Sequence, residues 1–119
     1  MGAKLDLFSV ENDPREFAAG EIVFEQYAMG AEMYVVLEGE VELLIGETVV
    51  ETVGRGEPFG EMALIDQAPR VATARAKTAC KLAVITEKRF LFLIQTTPTF
   101  AVQVMKVMAD RLRKMNARM

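Results

Sequence analysis

The chain has 119 residues, with 51% hydrophobic and 26% charged side chains, a composition typical of a globular protein. This length fits one domain, so we predict a single domain over residues 1–119. The net charge of -3 does not favour nucleic acid as a partner. The sequence has no histidine, the commonest metal ligand and general base, so we expect no metal site and no catalytic residue.

The composition also bears on where the protein resides. No apolar run approaches the ~20 residues that a membrane-spanning helix needs, and the N-terminus lacks the apolar stretch of a signal peptide. The single cysteine, Cys80, cannot form an internal disulfide, and we predict that it is a small buried apolar residue. We therefore expect a cytoplasmic protein that makes no membrane contact.

For residues 1–19 we predict either an extended N-terminal arm or a short helix, and the sequence pattern does not decide between the two. From residue 20 to residue 85, glycines give turn signals roughly every 8–12 residues between short apolar segments, which indicates a β-sandwich or β-barrel. A jelly roll, that is a double-stranded β-helix, is the closure that protects the strand edges. The predicted strands cover residues 21–25, 33–37, 41–45, 48–53, 71–76 and 81–85, with a loop over 54–58.

Two helices are predicted over residues 86–116, so the expected fold class is mainly β with flanking helices, the last of them long. Thr86 can N-cap a helix over residues 87–95, and Thr97 can cap a second one with Pro98 at its first position. Two apolar stripes follow the second helix. One stripe would pack on the barrel and the other would pair two copies in a homodimer, unless both form a single wide core face. The first stripe is Ala101, Met105, Met108, Leu112 and Met115, and the second is Phe100, Val104 and Val107.

The segment 59–73 carries the strongest functional signal. Gly60 allows a close approach of the backbone, and the amides of Met62 and Ala63 would open a short helix whose N-terminus suits an anion. Arg70 adds a planar fork of donors that suits two phosphate oxygens. Glu61 would accept a hydrogen bond from a neutral hydroxyl, and a ribose 3′,5′-cyclic phosphate offers both groups. Alternatively, Glu61 and Arg70 form an ordinary surface salt bridge.

The run Phe-Gly-Glu-x-Ala-Leu at 59–64, followed by Pro-Arg-x-Ala-Thr at 69–73, closely resembles the phosphate-binding cassette of cyclic nucleotide-binding domains. That family includes regulatory subunits of cAMP-dependent protein kinase, the bacterial catabolite activator protein and cyclic-nucleotide-gated channels. The resemblance continues through residues 20–24, Gly30, residues 33–41 and Gly56. It covers the chain from about residue 8 to residue 113.

The resemblance implies a role for each site residue. Arg70 would bind the exocyclic phosphate oxygens and Glu61 the ribose 2′-hydroxyl, while the backbone at Gly60 and Ala72 would help Met62 and Ala63 enclose the sugar phosphate. Family members that favour cGMP often carry threonine or serine after the arginine. This chain has Val71, so the implied ligand is cAMP, with cGMP as the alternative. In the family the C-terminal helix also covers the base, and the candidate lid residues here are Arg111, Leu112 and Met115.

We therefore predict a cyclic nucleotide sensor in which binding moves the C-terminal helix and so acts on an effector that the sequence does not identify. We expect no DNA-binding domain in this chain. Three alternatives stay open: a cupin-like enzyme, which usually needs histidine ligands; a degenerate member that serves as an oligomerisation or protein-interaction module; and a DNA-binding fragment. The last would use a basic cluster that a solvated helix end also explains: Lys106, Arg111, Arg113, Lys114 and Arg118.

Overall fold

The computed structural model describes residues 14–118, without the side chains of Met115 and Arg118. Predictions that concern residues 1–13 lie outside the described residues. Within the described range, eight strands and three helices follow one another along the chain. They are β1 (Arg15–Phe17), β2 (Ile22–Phe24), β3 (Glu32–Glu38), β4 (Val41–Ile45), β5 (Thr48–Val53), β6 (Pro58–Phe59), α1 (Met62–Ile65), β7 (Thr73–Ala76), β8 (Cys80–Thr86), α2 (Glu87–Thr96) and α3 (Pro98–Arg118).

The strands form two antiparallel four-stranded sheets, in the orders β1-β8-β3-β6 and β2-β7-β4-β5. All six pairs of neighbouring strands are antiparallel, whether or not the two strands are consecutive in the chain. This arrangement confirms the predicted jelly-roll fold with a long C-terminal helix. Alternate residues of β3 point to opposite faces, so that Tyr34 and Val36 enter the space between the sheets. The core between the sheets consists of Tyr34, Val36, Val41, Val53, Phe59, Ala74, Ala76, Cys80 and Leu82.

The helices cover the opposite face of the β3–β8 pair. Met33 and Val35 point outward from β3 and pack with residues of α2 and α3, so β3 is buried on both faces. The rings of Phe90 and Phe100 meet edge to face with their centroids 5.7 Å apart, which fixes α2 against α3. This second cluster contains Met33, Val35, Leu64, Ala83, Ile85, Phe90, Leu93, Phe100 and Val104.

The boundaries of the helices follow the predicted capping residues. The Thr86 hydroxyl accepts a hydrogen bond from the Arg89 amide at 3.3 Å, as the predicted N-cap requires, and α2 extends one residue beyond its predicted end. Pro98 opens α3, which runs to Arg118, two residues beyond the expected end. Thr97 directly precedes Pro98 as predicted, and its carbonyl oxygen accepts from the Phe100 amide at 2.8 Å.

Two predicted boundaries need correction, and one open alternative is decided. The strand predicted over 71–76 begins only at Thr73, because the two residues before it belong to the cassette. The segment 54–58, predicted as a loop, contributes Pro58 to β6, which pairs with β3 at a sheet edge. An edge strand tolerates a proline because an outward-facing N–H is not needed there. Residues 15–17, in the predicted arm or helix, are extended and pair with β8.

The two apolar stripes of α3 lie in different surroundings. Phe100, Val104 and Val107 are buried, as expected of the stripe that packs on the barrel. In the other stripe Met108 also packs on the core, whereas Met105 and Leu112 are exposed. The side chain of Met115 lies outside the described residues. No single helix among residues 14–118 has the length and apolarity to cross a membrane; α2 and α3 pass that test only as a pair, bent by 115°.

Candidate functional site

The cassette backbone turns sharply at Gly60 and then enters α1. Gly60 has φ 79°, in the left-handed region that favours glycine, and a side chain there would also collide with Arg70. Glu61 is the N-cap of α1, and its carbonyl accepts from the amides of Leu64 and Ile65 at 3.0 and 3.1 Å. Met62 and Ala63 come before these first helical hydrogen bonds, so their amides have no acceptor within α1.

Backbone pairing with the β2–β3 loop places Arg70. The Arg70 amide donates to the Ala28 carbonyl at 2.8 Å, and the Tyr27 amide donates to the Arg70 carbonyl at 2.7 Å. Gln26 extends the contact, because its amide donates to the Thr73 hydroxyl at 2.9 Å. These bonds fix the end of the cassette at both backbone groups of Arg70, so that its side chain is directed from a rigid base.

The Arg70 guanidinium is held between an aromatic ring and a glycine. Its Cζ lies 4.0 Å from the centroid of the Phe24 ring, which is a close cation–π contact. On the other side, a Cβ atom added to Gly30 would lie only 2.6 Å from Arg70 Nε. Nη1 donates to the Gly60 carbonyl at 3.0 Å. The guanidinium plane therefore has a fixed orientation before any ligand arrives.

Arg70 is buried without a counter-ion. Only 6% of its surface is exposed, its Nε has no hydrogen-bond partner, and it pairs with no carboxylate among the described residues. Burial lowers the pKa of Arg70, and the nearby Tyr34, Glu32 and Glu61 act in the opposite direction. An arginine nevertheless stays charged in a protein. The alternative of a surface salt bridge between Glu61 and Arg70 is wrong, because both residues are buried and Glu61 pairs elsewhere.

The partner of Glu61 is Arg111, which reaches the cassette from α3. Arg111 Nη1 donates to Glu61 Oε1 at 2.9 Å, Nη2 donates to the Pro58 carbonyl at 2.6 Å, and Nε donates to both oxygens of Glu51 at 3.0 and 3.1 Å. Arg111 thus lies across the site, where a lid residue was predicted. Leu112 is 59% exposed and does not line the site, so the structure does not support it as a lid.

All seven residues predicted to bind the ligand surround one pocket. Ala63 and Ala72 are small and buried, Val71 is largely exposed at the rim, and Arg111 closes one side. The pocket is lined by Phe24, Leu43, Gly60, Glu61, Met62, Ala63, Arg70, Val71, Ala72 and Arg111.

Several residues around this pocket were not among the predicted site residues. Phe24 and Leu43 are apolar positions of predicted strands, and Phe24 also belongs to the family resemblance, but their place in the pocket depends on how the two sheets close. Gly30 was predicted as a turn residue, although the space left by its missing side chain is where the Arg70 guanidinium lies. Glu51 read as a polar strand residue. The alternation of the strands could at most have shown that Phe24 and Leu43 point inward.

Chemically, the pocket offers a cation with free donors beside a carboxylate. Arg70 Nη2 makes no hydrogen bond with the described residues, and no donor among them reaches Glu61 Oε2. The first group suits an anion, and the second suits a neutral hydroxyl, because a second anion would be repelled there. A ligand that carries both groups close together fits this arrangement.

The sequence profile of the cyclic nucleotide-binding domain matches residues 14–97, and the chain belongs to this family of ligand-binding regulatory domains. It is 39% identical, over 89 residues that make up 67% of the chain, to the cAMP-dependent protein kinase regulatory subunit of Mycosarcoma maydis. Its fold matches the catabolite activator protein of Thermus thermophilus with a TM-score of 0.80 and 31% identity over 89% of the chain.

A further similar structure, with a TM-score of 0.75 and 30% identity over 84% of both chains, comes from work described as "A cyclic-GMP-dependent signalling pathway regulates bacterial phytopathogenesis". The chain spans 17% of the kinase regulatory subunit and 52% of the activator protein. The resemblance therefore concerns their cyclic nucleotide-binding part and not the rest of those proteins.

Proposed function

We propose that this chain is a cyclic nucleotide sensor whose ligand is cAMP. The observation that carries the proposal is Arg70, a buried guanidinium that is already oriented and has no counter-ion among the described residues. A buried charge is costly unless it is paired, so the site is suited to an anion that arrives from solution. Glu61 lies in the same pocket with an oxygen free for a hydroxyl group.

In the bound state, Arg70 would donate to the exocyclic phosphate oxygens and Glu61 Oε2 would accept from the ribose 2′-hydroxyl. The amides of Met62 and Ala63 would donate to the sugar phosphate, and the small side chain of Ala72 would leave room for it. A charge-assisted hydrogen bond contributes about 1.5–3 kcal/mol net. Two such bonds from Arg70 would supply a large part of the ~8 kcal/mol that a micromolar complex needs. The binding needs no metal or cofactor, and the proposal includes no catalysis.

The choice of cAMP over cGMP rests on Val71. Its side chain lines the pocket and is 62% exposed, so it is available to the base of a ligand, but it has no hydroxyl to bond a guanine amino group. The kinase regulatory subunit named above is cAMP-dependent, whereas the phytopathogenesis structure is connected with cyclic GMP. The similar proteins thus include one connected with each nucleotide, and they do not decide between cAMP and cGMP. The side chain at position 71 favours adenine.

The signal would leave the site through α3. Arg111 joins this helix to Glu61, so a ligand that bonds Glu61 meets a carboxylate already attached to α3. A ligand can shift the position of the helix only as far as its affinity differs between the two positions. The proposal is therefore that the bound and free forms differ in how α3 is attached at Arg111.

The exposed side of α3 is the surface proposed for a homodimer. Val102, Met105 and Leu112 are exposed along this helix at spacings of three and seven residues, which fits a coiled-coil seam. Two copies of the chain would pair there, and an effector protein would respond to the movement of α3. We also propose a cytoplasmic location, because the one cysteine is buried and free and cannot form an internal disulfide.

Calorimetric titration of the purified protein with cAMP, cGMP and AMP tests the proposal. We expect cAMP to bind most tightly, cGMP more weakly, and AMP least, because AMP lacks the cyclic phosphate and carries a second negative charge. If no cyclic nucleotide binds at sub-millimolar concentration, the sensor function is wrong. The fold would then serve as an oligomerisation or protein-interaction module, for which the exposed seam of α3 is the relevant surface.

A further inference from the structure

Glu51 is a charged residue at a position where the strand pattern calls for an apolar one. The register between β4 and β5 shifts by one residue at this point, so that Leu43 pairs with Glu51 while Leu44 pairs with Val49. Directly paired residues share a face of the sheet, and the Leu43 side chain lines the pocket. Glu51 also lies two residues before the buried Val53 in regular register, so strand alternation places its side chain on the inner face, toward the site.

The Glu51 carboxylate faces a guanidinium whose three nitrogens all donate to the protein. Arg111 donates hydrogen bonds from Nε to Glu51, from Nη1 to Glu61 and from Nη2 to the Pro58 carbonyl. The side chains of Arg111 and Glu51 are 15% and 23% exposed, so this is not one of the fully solvated pairs that contribute little. Three separate elements, β5, β6 and the cassette, thus hold one side chain of α3.

We propose that Glu51 is a positioning residue for ligand binding, which acts on the ligand through Arg111 and Glu61. Glu51 fixes the guanidinium; the guanidinium holds Oε1 of Glu61; and Oε2 stays turned to the pocket for the hydroxyl of the ligand. This inference rests on the proposed function and adds a residue to it that neither the cassette nor the pocket lining contains.

The physical reason is the flexibility of a long side chain. Arg111 has four rotatable bonds, and a single carboxylate would hold it in several orientations. With Glu51 on Nε and Glu61 on Nη1, the plane of the fork is fixed at two points. Without Glu51, Arg111 would keep its charge but lose this orientation, and Glu61 would be less often in the position that suits a hydroxyl.

The test compares cAMP with 2′-deoxy-cAMP, which lacks the hydroxyl that Glu61 would bind. In Glu51→Gln the carboxamide keeps the shape but loses the charge that strengthens its bond to Arg111. We expect the Kd for cAMP to rise about fivefold, and the Kd for 2′-deoxy-cAMP to change less than about twofold. Circular dichroism melts check that the variant retains its fold.

A matched control is available on the neighbouring strand. Glu42 is 18% exposed at its side chain and pairs with Arg75 at 3.1 Å, outside the pocket. Glu42→Gln therefore breaks a comparable pair, and we expect both Kd values to stay as in the unmodified protein. The same measurement in an Arg111→Gln background completes the experiment, because Glu51→Gln should have no further effect once Arg111 is absent.

Each outcome bears on the inference. A rise confined to cAMP that disappears in the Arg111→Gln background supports it. Equal losses for the two ligands, an unchanged Kd for cAMP, or the same loss with and without Arg111 would each overturn the positioning role while the sensor function stands. If the unmodified protein binds neither ligand, the proposed function fails and the role of Glu51 fails with it.

Discussion

Two arginines border the same pocket, and their surroundings are opposite. Arg70 has one hydrogen bond to a carbonyl, an aromatic ring against its face, and no carboxylate partner in the described part of the chain. Arg111 uses all three guanidinium nitrogens on two carboxylates and a carbonyl. The first is oriented by contacts that do not neutralise it, and the second is neutralised by the protein itself.

This difference assigns different tasks to the two residues. A cation that the fold orients but does not neutralise has electrostatic energy to give to an incoming anion. A cation that is fully paired attaches one element of structure to another, here α3 to the roll. Arg70 should therefore control affinity with little effect on stability, and Arg111 should control the attachment of the helix. Three substitutions, two of them with a control, test this division.

The largest effect is expected for Arg70→Lys. Lysine keeps the charge but lacks the planar fork, so it cannot give two parallel bonds to a phosphate. We expect the Kd for cAMP to rise at least about tenfold, which corresponds to about 1.4 kcal/mol. Calorimetry measures the Kd, and urea unfolding should show little loss of stability because Arg70 forms no ion pair with the described residues. An unchanged affinity would remove Arg70 from the site.

Gly30→Ala tests how the guanidinium is held. The added Cβ would lie within 2.7 Å of Arg70 Cζ, so the fork has to move away from its position over the Phe24 ring. We expect the Kd for cAMP to rise about tenfold, with a loss of stability of about 1–3 kcal/mol from overpacking.

Gly54→Ala is the control for that substitution. Its Cβ would meet only Glu57 Oε1, at 3.6 Å, which is an ordinary contact. We expect neither affinity nor stability to change appreciably. If both alanine variants lose affinity equally, the contact between Gly30 and Arg70 does not orient the binding arginine.

Arg111→Gln tests the other half of the comparison. The substitution leaves Glu51 and Glu61 without their shared cation, and we expect the free energy of unfolding to fall by about 1–2 kcal/mol. The estimate stays below the value for a fully buried pair because Glu51 keeps some contact with water. Urea unfolding measures this loss, and hydrogen exchange of the α3 amides should show faster local opening of the helix.

Lys114→Gln provides the comparison on the same helix. Lys114 pairs with Asp110 at 3.3 Å, but both side chains are largely exposed, so this pair should contribute little. A loss of stability as large in Lys114→Gln as in Arg111→Gln would show that α3 tolerates charge changes poorly in general. The specific attachment at Arg111 would then be wrong.

The two arginines also differ in how well their roles could be predicted from the sequence. The cassette around Arg70 is contiguous, and its glycine, acid and base have fixed spacing, so seven of the residues that line the pocket could be named from the chain alone. The fold followed from the turn spacing and the alternation of strands. Arg111 was named as a lid candidate and as part of a basic cluster, but its contact with Glu61 could not be predicted, because the two residues are 50 positions apart in sequence.

The remaining residues could not be predicted for reasons of geometry. The role of Glu51 depends on its contact with Arg111, which lies 60 residues away in sequence, and nothing in the local strand pattern indicates that partner. Gly30 admits the guanidinium only because two distant loops pair through their backbones. Such relations between elements are set by sheet closure, whereas the cassette is set by local backbone conformation.

The smallest expected effect belongs to Val71→Thr, which concerns the base and not the two arginines. Valine and threonine have nearly the same shape, so the substitution adds a hydroxyl at the rim, where position 71 is 62% exposed. A net hydrogen bond contributes about 0.5–1.5 kcal/mol, and solvent competition places this one at the lower end. We expect the Kd for cGMP to fall about threefold while the Kd for cAMP stays constant.

Val71→Ala, which removes methyl groups without adding a donor, should leave the ratio of the two Kd values unchanged. A ratio that does not move in Val71→Thr would mean that position 71 does not face the base, and the proposed choice of cAMP would lose its support.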